Sequence, residues 1–348
     1  MEDTALESIK LIPKQILQTF EETQKIVYPD TYKKTEGVLL AGMGASMYSY
    51  HVISSLFKEE LTVPLVGVNT YGVPHFTSSN MLFIASSYSG STEEVIHNLK
   101  DAHRKNYLCT SVSAGGELST TAQGFGLPHY SFNPIHNPSK QPRMGQGYMV
   151  FGSAGILSSL GYLKTPLSDS FLPEIEVRMR ELDKLAKELV DQVLNQELVF
   201  VAADHLSGNA HILRNQTNET GKLFASYALV PELNHHLMEG LKNPSDKRIT
   251  FVFIESDLYY PRNIQRFELT KEVVTKNNCN VLSFKAQTKT KLSQFVEMLI
   301  FGGYLAYYLG RLYNESPNLI PWVDYFKEKL GKAASINNKI SISNEDAA

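Results

Sequence analysis

A short apolar run that ends in a cluster of hydroxyl side chains constrains this chain more than any other stretch. Met81 to Ala85 has the length and composition of a buried strand, and Ser91 to Arg104 places its apolar residues on one side of a helix. Between them, from Ser86 to Gly90, stand four hydroxyl-bearing residues and a glycine. A strand that enters a helix through such a turn presents free backbone N–H groups and the positive end of a helix dipole, which favours an anion. A plain helix N-cap uses the same residue types, so this stretch alone leaves both interpretations open.

Apolar runs alternate with helical segments along both halves of the chain. The first half offers further strands at residues 37–41, 65–69 and 108–112. The second half repeats the alternation from residue 198 to residue 284, with residues 209–227 expected to be mostly helical. This alternation predicts an α/β protein with doubly wound, parallel, flavodoxin-like sheets, whose ligands lie at the carboxyl ends of the strands. We predict one subdomain at residues 1–163, a second at residues 164–332, and a mobile tail at residues 333–348.

Composition and charge exclude several classes of function. The 348 residues carry a formal net charge of −3, which argues against a nucleic-acid partner. The two cysteines are too few for a disulfide scaffold, and no signal peptide is recognisable. No window approaches about 20 uninterrupted apolar residues, so we expect no membrane span and a cytoplasmic location.

The turn from Gly42 to Met47 looks at first like a dinucleotide fingerprint. Met47 stands where a third small residue is needed, and the next strand ends at Asn69 rather than at an acid that could hold a ribose. A nicotinamide site is therefore not expected. A glycine turn that brings the backbone at Gly44 close to a small phosphate, with Ser46 assisting, fits better.

The second half holds a dense polar set. Glu219 lies among amide and basic side chains between Arg214 and Lys222, and His235 follows the sequence Pro-Glu-Leu-Asn. Taken alone, such a glutamate is more often a solvated helical acid, and such a histidine a turn residue. The ten histidines show no short paired spacing of the kind that binds a metal, so no metal is expected.

Several of these motifs together resemble one family. They are Gly-Met-Gly-Ala-Ser (42–46), Ser-Tyr-Ser-Gly-Ser-Thr-Glu-Glu (87–94), Gln-Pro-Arg (141–143), Asn-Glu (218–219) with Lys222, and Pro-Glu-Leu-Asn-His (231–235). The combination resembles the bifunctional phosphoglucose/phosphomannose isomerases, which consist of two sugar isomerase (SIS) subdomains. In the first turn, Ala45 and Met47 replace two glycines that are usual in this family.

The resemblance implies a role for each matching residue. Ser46, Ser87, Ser89 and Thr92 would hold the sugar phosphate. Arg143 would lie beside the reacting carbons, Glu219 would move the proton between C1 and C2, and His235 would assist ring opening. A lysine of the last helix completes the set, and Lys327 matches better than Lys329.

This chemistry suits the residue types and needs no cofactor. A carboxylate can move a proton next to a carbonyl, and a fixed arginine can stabilise the enediolate. A regulatory SIS module that only binds sugar phosphates, and the isomerase half of an amidotransferase, are the alternatives. The choice between glucose and mannose phosphates stays open.

A homodimer is also expected. The segments at residues 150–163 and 292–312 carry more apolar surface than one helix face needs. The family resemblance likewise implies a dimer, with the site near the subunit boundary and the histidine supplied across it.

Overall fold

The structure is a computed structural model that describes residues 3–74 and 80–330. The tail at residues 333–348, for which mobility is predicted, lies outside the described residues.

The first half forms a parallel sheet of five strands in the order β2-β1-β3-β4-β5. Its strands are β1 (Gly37–Ala41), β2 (Leu65–Val68), β3 (Met81–Ser86), β4 (Leu108–Ser113) and β5 (Tyr130–Ser131). Its helices are α1 (Thr4–Lys10), α2 (Ile12–Thr23), α3 (Tyr48–Leu56), α4 (Glu93–Arg104), α5 (Gly116–Gly124) and α6 (Gln146–Ser159).

The second half forms a parallel sheet of four strands in the order β7-β6-β8-β9. Its strands are β6 (Glu197–Ala203), β7 (Ala225–Val230), β8 (Ile249–Glu255) and β9 (Asn280–Lys285). Its helices are α7 (Leu172–Val193), α8 (Ser207–Glu219), α9 (Pro261–Lys276) and α10 (Lys291–Leu312), and a last helix covers residues 321–330.

The two sheets share one doubly wound plan, and this confirms the predicted fold class. In each sheet the first strand along the chain lies inside, and the strand order reverses beside it. Ligands of such sheets bind at the carboxyl ends of the strands next to this reversal. In the first sheet that position lies between β1 and β3, where both predicted turns begin. The exact boundaries between the two subdomains stay predictions.

Three elements depart from the sequence-based expectation. The interval from Asn209 to Tyr227 was expected to be mostly helical, but α8 ends at Glu219 and β7 begins at Ala225. The short helix α5 and the two-residue strand β5 were not predicted. The mixed apolar and small residues 225–230 fit a helix or a strand equally well by sequence. They form a strand because they pair with β6.

The apolar helices α6 and α10 are covered by the chain itself. Nearly all residues of both helices are buried, because α6 packs against α2 and α3, and α10 packs against α1, α7 and α8. The surplus apolar surface that suggested a dimer is thus used inside the chain, and this argument for a dimer was wrong. These helices join the two halves into one continuous apolar core.

Candidate active site

The hydroxyl turn after β3 is a preformed cradle of side chains and backbone donors. Ser87 is fully buried, and its Oγ lies 2.7 Å from Thr92 Oγ1. Thr92 is the N-cap residue of α4, yet its side chain makes no capping hydrogen bond. Ser89 is exposed, and its Oγ lies 2.9 Å from Ser91 Oγ. The hydroxyls therefore bond to one another and leave the first turn of α4 uncapped, which favours the anion site over the plain N-cap.

Gly90 lets this turn pass directly over the next loop. Its φ is +67°, and a Cβ there would overlap the carbonyl oxygen of Gly115. The Gly90 carbonyl accepts a hydrogen bond from Leu118 N at 2.8 Å. A side chain at residue 90 would thus be strained and would also displace the turn.

The turn after β1 supports the hydroxyl turn from the side. Gly44 has a φ of +51°, and the Ser46 Oγ accepts a hydrogen bond from the backbone N–H of Tyr88 at 3.1 Å. Met47, one of the two departures from the glycine-rich turn, packs against Gly67 of β2, where a Cβ would lie 2.5 Å from the Met47 Cε. Its side chain is therefore accommodated by a glycine elsewhere and does not fill the cradle.

Tyr88 connects the cradle with the loop that carries Arg143. Its hydroxyl accepts a hydrogen bond from Asn137 Nδ2 at 2.7 Å, and its ring packs on Gly145. Burial raises the pKa of Tyr88 to about 12, so the phenol stays neutral.

Arg143 is a buried arginine with one N–H to spare. Its side chain is 1% exposed. Nε donates to Thr220 Oγ1 at 2.9 Å and Nη1 to Gln141 Oε1 at 2.9 Å, while Nη2 donates to the carbonyls of Pro317 and Asn318. A guanidinium has five N–H groups, so one N–H on Nη1 is left without an acceptor among residues 3–74 and 80–330. The fixed guanidinium can offer this donor to a developing oxyanion without reorganisation.

The spare donor is on the side of Glu219. Glu219 ends α8, and its Oε2 lies 3.8 Å from Arg143 Nη1. Burial raises the pKa of the Glu219 carboxyl, and the charges of Arg143, Lys222, Lys327 and Arg214 partly oppose this. Burial also lowers the pKa of Arg143, which the charge of Glu219 counteracts. A carboxyl with a raised pKa that is still 30% exposed has the properties of a general base.

The segment after α10 brings the predicted lysine to this pair. Lys222 Nζ donates to the carbonyls of Glu219 and Leu319, and burial lowers its pKa. In the helix at residues 321–330 that follows, the charge of Lys327 acts on Glu219. Lys329 instead lies with its Nζ 5.5 Å from the centre of the Tyr325 ring. These interactions therefore favour Lys327 over Lys329 as the lysine of the candidate site.

His235 does not join the cluster within this chain. It ends a single 3-10 turn after β7 and is exposed. Its side chain makes no hydrogen bond, ion pair or ring contact within the described ranges 3–74 and 80–330. Its neighbour Asn234 ties the turn to α9 through a 2.8 Å hydrogen bond to Thr270 Oγ1. The structure thus brings Arg143 and Glu219 together and leaves His235 on the surface.

The second sheet has a corresponding edge, but it is closed by the chain itself. The carboxylate of Asp204, the residue after β6, accepts hydrogen bonds from Tyr260 N at 2.7 Å and from Asn263 Nδ2 at 2.9 Å. Both donors lie at the beginning of α9. A negative side chain therefore stands at this helix N-terminus, where the first half presents hydroxyls to the corresponding helix α4.

The described residues form neither a membrane-spanning helix nor a metal-binding cluster. In the part of the chain that the structure describes, no helix is long and apolar enough to cross a bilayer. The same residues contain no group of three or more histidine, cysteine, aspartate or glutamate side chains that could hold a metal ion.

Tyr48 is the residue of this site that sequence reasoning missed. It is 1% exposed, and its ring brings a hydroxyl close to the charges of Glu219 and Arg143. The sequence offered one signal, since Tyr48 lies two positions after Ser46 at the beginning of α3. That signal indicates proximity to the phosphate turn, but it does not reveal that α3 packs on α8.

Comparison with known proteins supports the resemblance seen in the motifs. Residues 182–330 match the family of bacterial phospho-glucose isomerase C-terminal SIS domains. The chain is 25% identical to the bifunctional phosphoglucose/phosphomannose isomerase of Caldicellulosiruptor bescii, over 94% of this chain and 98% of the relative. Its identity to the protein of the same description from Thermoplasma volcanium is 26%, over 85% and 92% of the two chains. The resemblance is thereby confirmed.

Solved structures show the same fold. The tagatose-6-phosphate ketose/aldose isomerase from Escherichia coli superposes with a TM-score of 0.71 at 15% identity, over 92% of this chain and 97% of the other. A hypothetical protein from Thermus thermophilus gives a TM-score of 0.70 at 16% identity, over 96% and 91%. The architecture of both halves is therefore shared with these two structures.

Proposed function

We propose that this chain, a relative of the bifunctional phosphoglucose/phosphomannose isomerases, is an aldose–ketose isomerase. It interconverts glucose 6-phosphate, mannose 6-phosphate or both with fructose 6-phosphate through a cis-enediol intermediate. The observation that carries the proposal is the pairing of Glu219 with the one spare N–H of a buried Arg143, close to an open hydroxyl cradle. A module that only binds sugar phosphates has no need of this base and oxyanion donor.

In this proposal the phosphate and the reacting carbons have separate sites. Ser87, Ser89 and Thr92 bind the phosphate together with the N–H groups of α4, and Ser46 and Gly44 shape the turn beside them. The distant phosphate supplies binding energy that holds the sugar in place for reaction.

The proton then moves between two adjacent carbons. Glu219 removes the proton from C2 of the aldose and returns it to C1, and the spare Arg143 N–H stabilises the enediolate oxygen. Lys327 adds positive charge near the Glu219 carboxyl. None of these steps requires a cofactor.

Ring opening is assigned to His235, and this assignment needs a second copy of the chain. His235 is exposed and has no partner within the described part of its own chain, so another subunit is the natural route by which it reaches a site. The helix at residues 321–330 gives the dimer a new basis, since Trp322 is 82% and Phe326 63% exposed. Light scattering at assay concentration should give the mass of a dimer, and a monomeric mass would remove this part of the proposal.

Coupled assays from fructose 6-phosphate, with glucose 6-phosphate and mannose 6-phosphate followed separately, test the activity itself. Glu219→Gln keeps the shape of the side chain but removes its basicity, and should lower turnover by about 10²–10⁴-fold. In deuterated water the parent should place deuterium at C2 of the aldose, and the variant should lose exchange and isomerisation together. Near-normal turnover of the variant would refute the assignment of the base.

A parent protein that binds sugar phosphates without turnover would support the regulatory alternative.

The substrates are charged metabolites, and we expect the protein to act on them in the cytoplasm.

A further inference from the structure

The Tyr48 hydroxyl is a buried polar group that the mechanism above leaves without a task. Tyr48 is 1% exposed, and within the described residues its hydroxyl has no hydrogen-bond partner. Buried tyrosine hydroxyls normally find a partner, because an unpaired polar group in the interior costs free energy. An unpaired buried hydroxyl of this kind therefore indicates that it gains a hydrogen-bond partner when a ligand is bound.

The packing of Tyr48 places this hydroxyl at the junction of the two halves. Tyr48 begins α3, directly after the turn that holds Ser46, and α3 packs against α8, which ends at Glu219. Burial raises the pKa of Tyr48 well above its ordinary value, and the negative charge of Glu219 raises it further. The phenol is therefore neutral at every working pH and can donate its proton to an acceptor.

Asn215, on the same face of α8, does not take that proton. Its amide lies beside the Tyr48 hydroxyl, but its Oδ1 already accepts a hydrogen bond from Arg214 Nε at 2.7 Å. The Asn215 amide lowers the pKa of Tyr48, as a donor near the phenol oxygen does, and the geometry shows no acceptor for the Tyr48 proton within the described residues.

The Glu219 carboxylate is the complementary case, an acceptor without a donor. Its closest cationic group is Arg143 Nη1, at 3.8 Å, which is too long for a hydrogen bond. No hydrogen bond from residues 3–74 or 80–330 reaches its carboxylate oxygens. A lone buried donor and a lone acceptor thus occur on two elements that pack together.

We propose that Tyr48 is a positioning residue whose hydroxyl donates a hydrogen bond to the ionised Glu219 carboxylate when a sugar phosphate is bound. The bond would fix one carboxylate oxygen and leave the other to take the proton from the sugar. This inference rests on the proposed function for the role of Glu219, but the hydrogen bond itself can be measured without turnover.

The pH dependence of kcat, which reports the groups of the enzyme–substrate complex, tests the proposal through Tyr48→Phe, with Tyr50→Phe on the same helix as the matched control. A lost hydrogen bond to a charged group should raise the pKa of the acid limb by about one to two pH units. KM for the sugar phosphate should change little, since the phosphate is bound elsewhere, and Tyr50→Phe should keep the parent profile. An acid limb in Tyr48→Phe that coincides with that of the parent would overturn the proposal.

Thermal unfolding separates this role from a structural one. Since the hydroxyl has no hydrogen-bond partner among the described residues, Tyr48→Phe should unfold at the same temperature as the parent or at a higher one. A lower unfolding temperature with an unchanged acid limb would mean that the hydroxyl serves the fold, and would overturn the proposal.

Infrared titration keeps the test independent of activity. The carboxyl band of Glu219, identified by its absence in Glu219→Gln, is titrated with inorganic phosphate and with a polyol phosphate that cannot isomerise. The pKa should be higher in Tyr48→Phe than in the parent, and equal values would overturn the proposal. A parent that shows this difference but does not isomerise sugar phosphates would refute the proposed function alone.

Discussion

Two stacked histidines between the halves should make this protein sensitive to mild acid. His51 on α3 and His211 on α8 stack with their ring centres 3.7 Å apart and their planes 12° apart. Burial, together with the positive charge of Arg214, lowers the pKa of His51 to about 4, and burial, the neighbouring His51 and Arg214 lower that of His211 to about 3. Neither ring is therefore protonated in the folded protein at pH 5.

The size of the effect follows from the unfolded state. Unfolded histidine has an ordinary pKa of 6.5, so each of the two histidines takes up a proton at pH 5 only when the chain unfolds. Since the folded pKa values lie below the unfolded one, their stability contribution is complete above pH 6.5 and declines as the pH falls towards 4. At pH 5 each histidine lowers the free energy of unfolding by at most about 2 kcal/mol, and the pair by about 4 kcal/mol.

Urea unfolding at pH 7 and pH 5, followed by far-ultraviolet circular dichroism, measures this loss. His211→Phe preserves a flat ring on His51 but removes one titrating group, so its loss between the two pH values should be about 2 kcal/mol smaller than that of the parent. Other buried histidines contribute equally to both proteins and cancel in the difference. His97→Phe, at an exposed position of α4, is the matched control and should behave as the parent. Equal pH dependence in the parent and His211→Phe would refute the reasoning.

Three further predictions concern the site. Ser89→Ala should raise KM for a sugar phosphate by about 10–100-fold, because a hydrogen bond to a charged group is worth about 1.5–3 kcal/mol; unchanged steady-state kinetics would contradict the cradle. Lys327→Met should lower kcat while Lys329→Met should not, since the charge of Lys327 acts on Glu219 and Lys329 lies over the Tyr325 ring; equal losses in the two variants would contradict this distinction. Gly90→Ala should lower the unfolding temperature and abolish phosphate protection against unfolding, because the turn cannot pass over the next loop with a Cβ; a parent-like melting curve would contradict that geometry.

Local patterns predicted the structure of the two turns after β1 and β3 well. The strand that ends at Ser86, the hydroxyls that follow and the glycine turn at residues 42–46 are all contiguous in sequence, so their structure depends on nearby residues. The replacement of a family glycine by Met47 could be noticed from the sequence. Its compensation by Gly67 could not, because the two positions meet only when β1 and β2 pair.

Features that depend on distant packing escaped prediction. Tyr48 becomes part of the site only because α3 packs against α8, more than 150 positions along the chain. An apolar pattern around a whole helix shows that α6 and α10 are covered, but it does not show whether this chain or another covers them. The exposed Trp322 and Phe326 likewise lie in a helix whose apolar residues look like ordinary core positions until the fold is known.

Asp204 at the edge of the second sheet occupies a helix N-terminus that an anion from solution could otherwise bind. Asp204 is covalently part of the protein, so the helix N-terminus it serves never exchanges its negative charge with the solution. The turn at the matching edge of the first sheet presents neutral hydroxyls, and the nearby acids Glu93 and Glu94 belong to the first turn of α4 itself. In the proposed function the first half therefore holds the sugar phosphate, and the second half presents Glu219 to it.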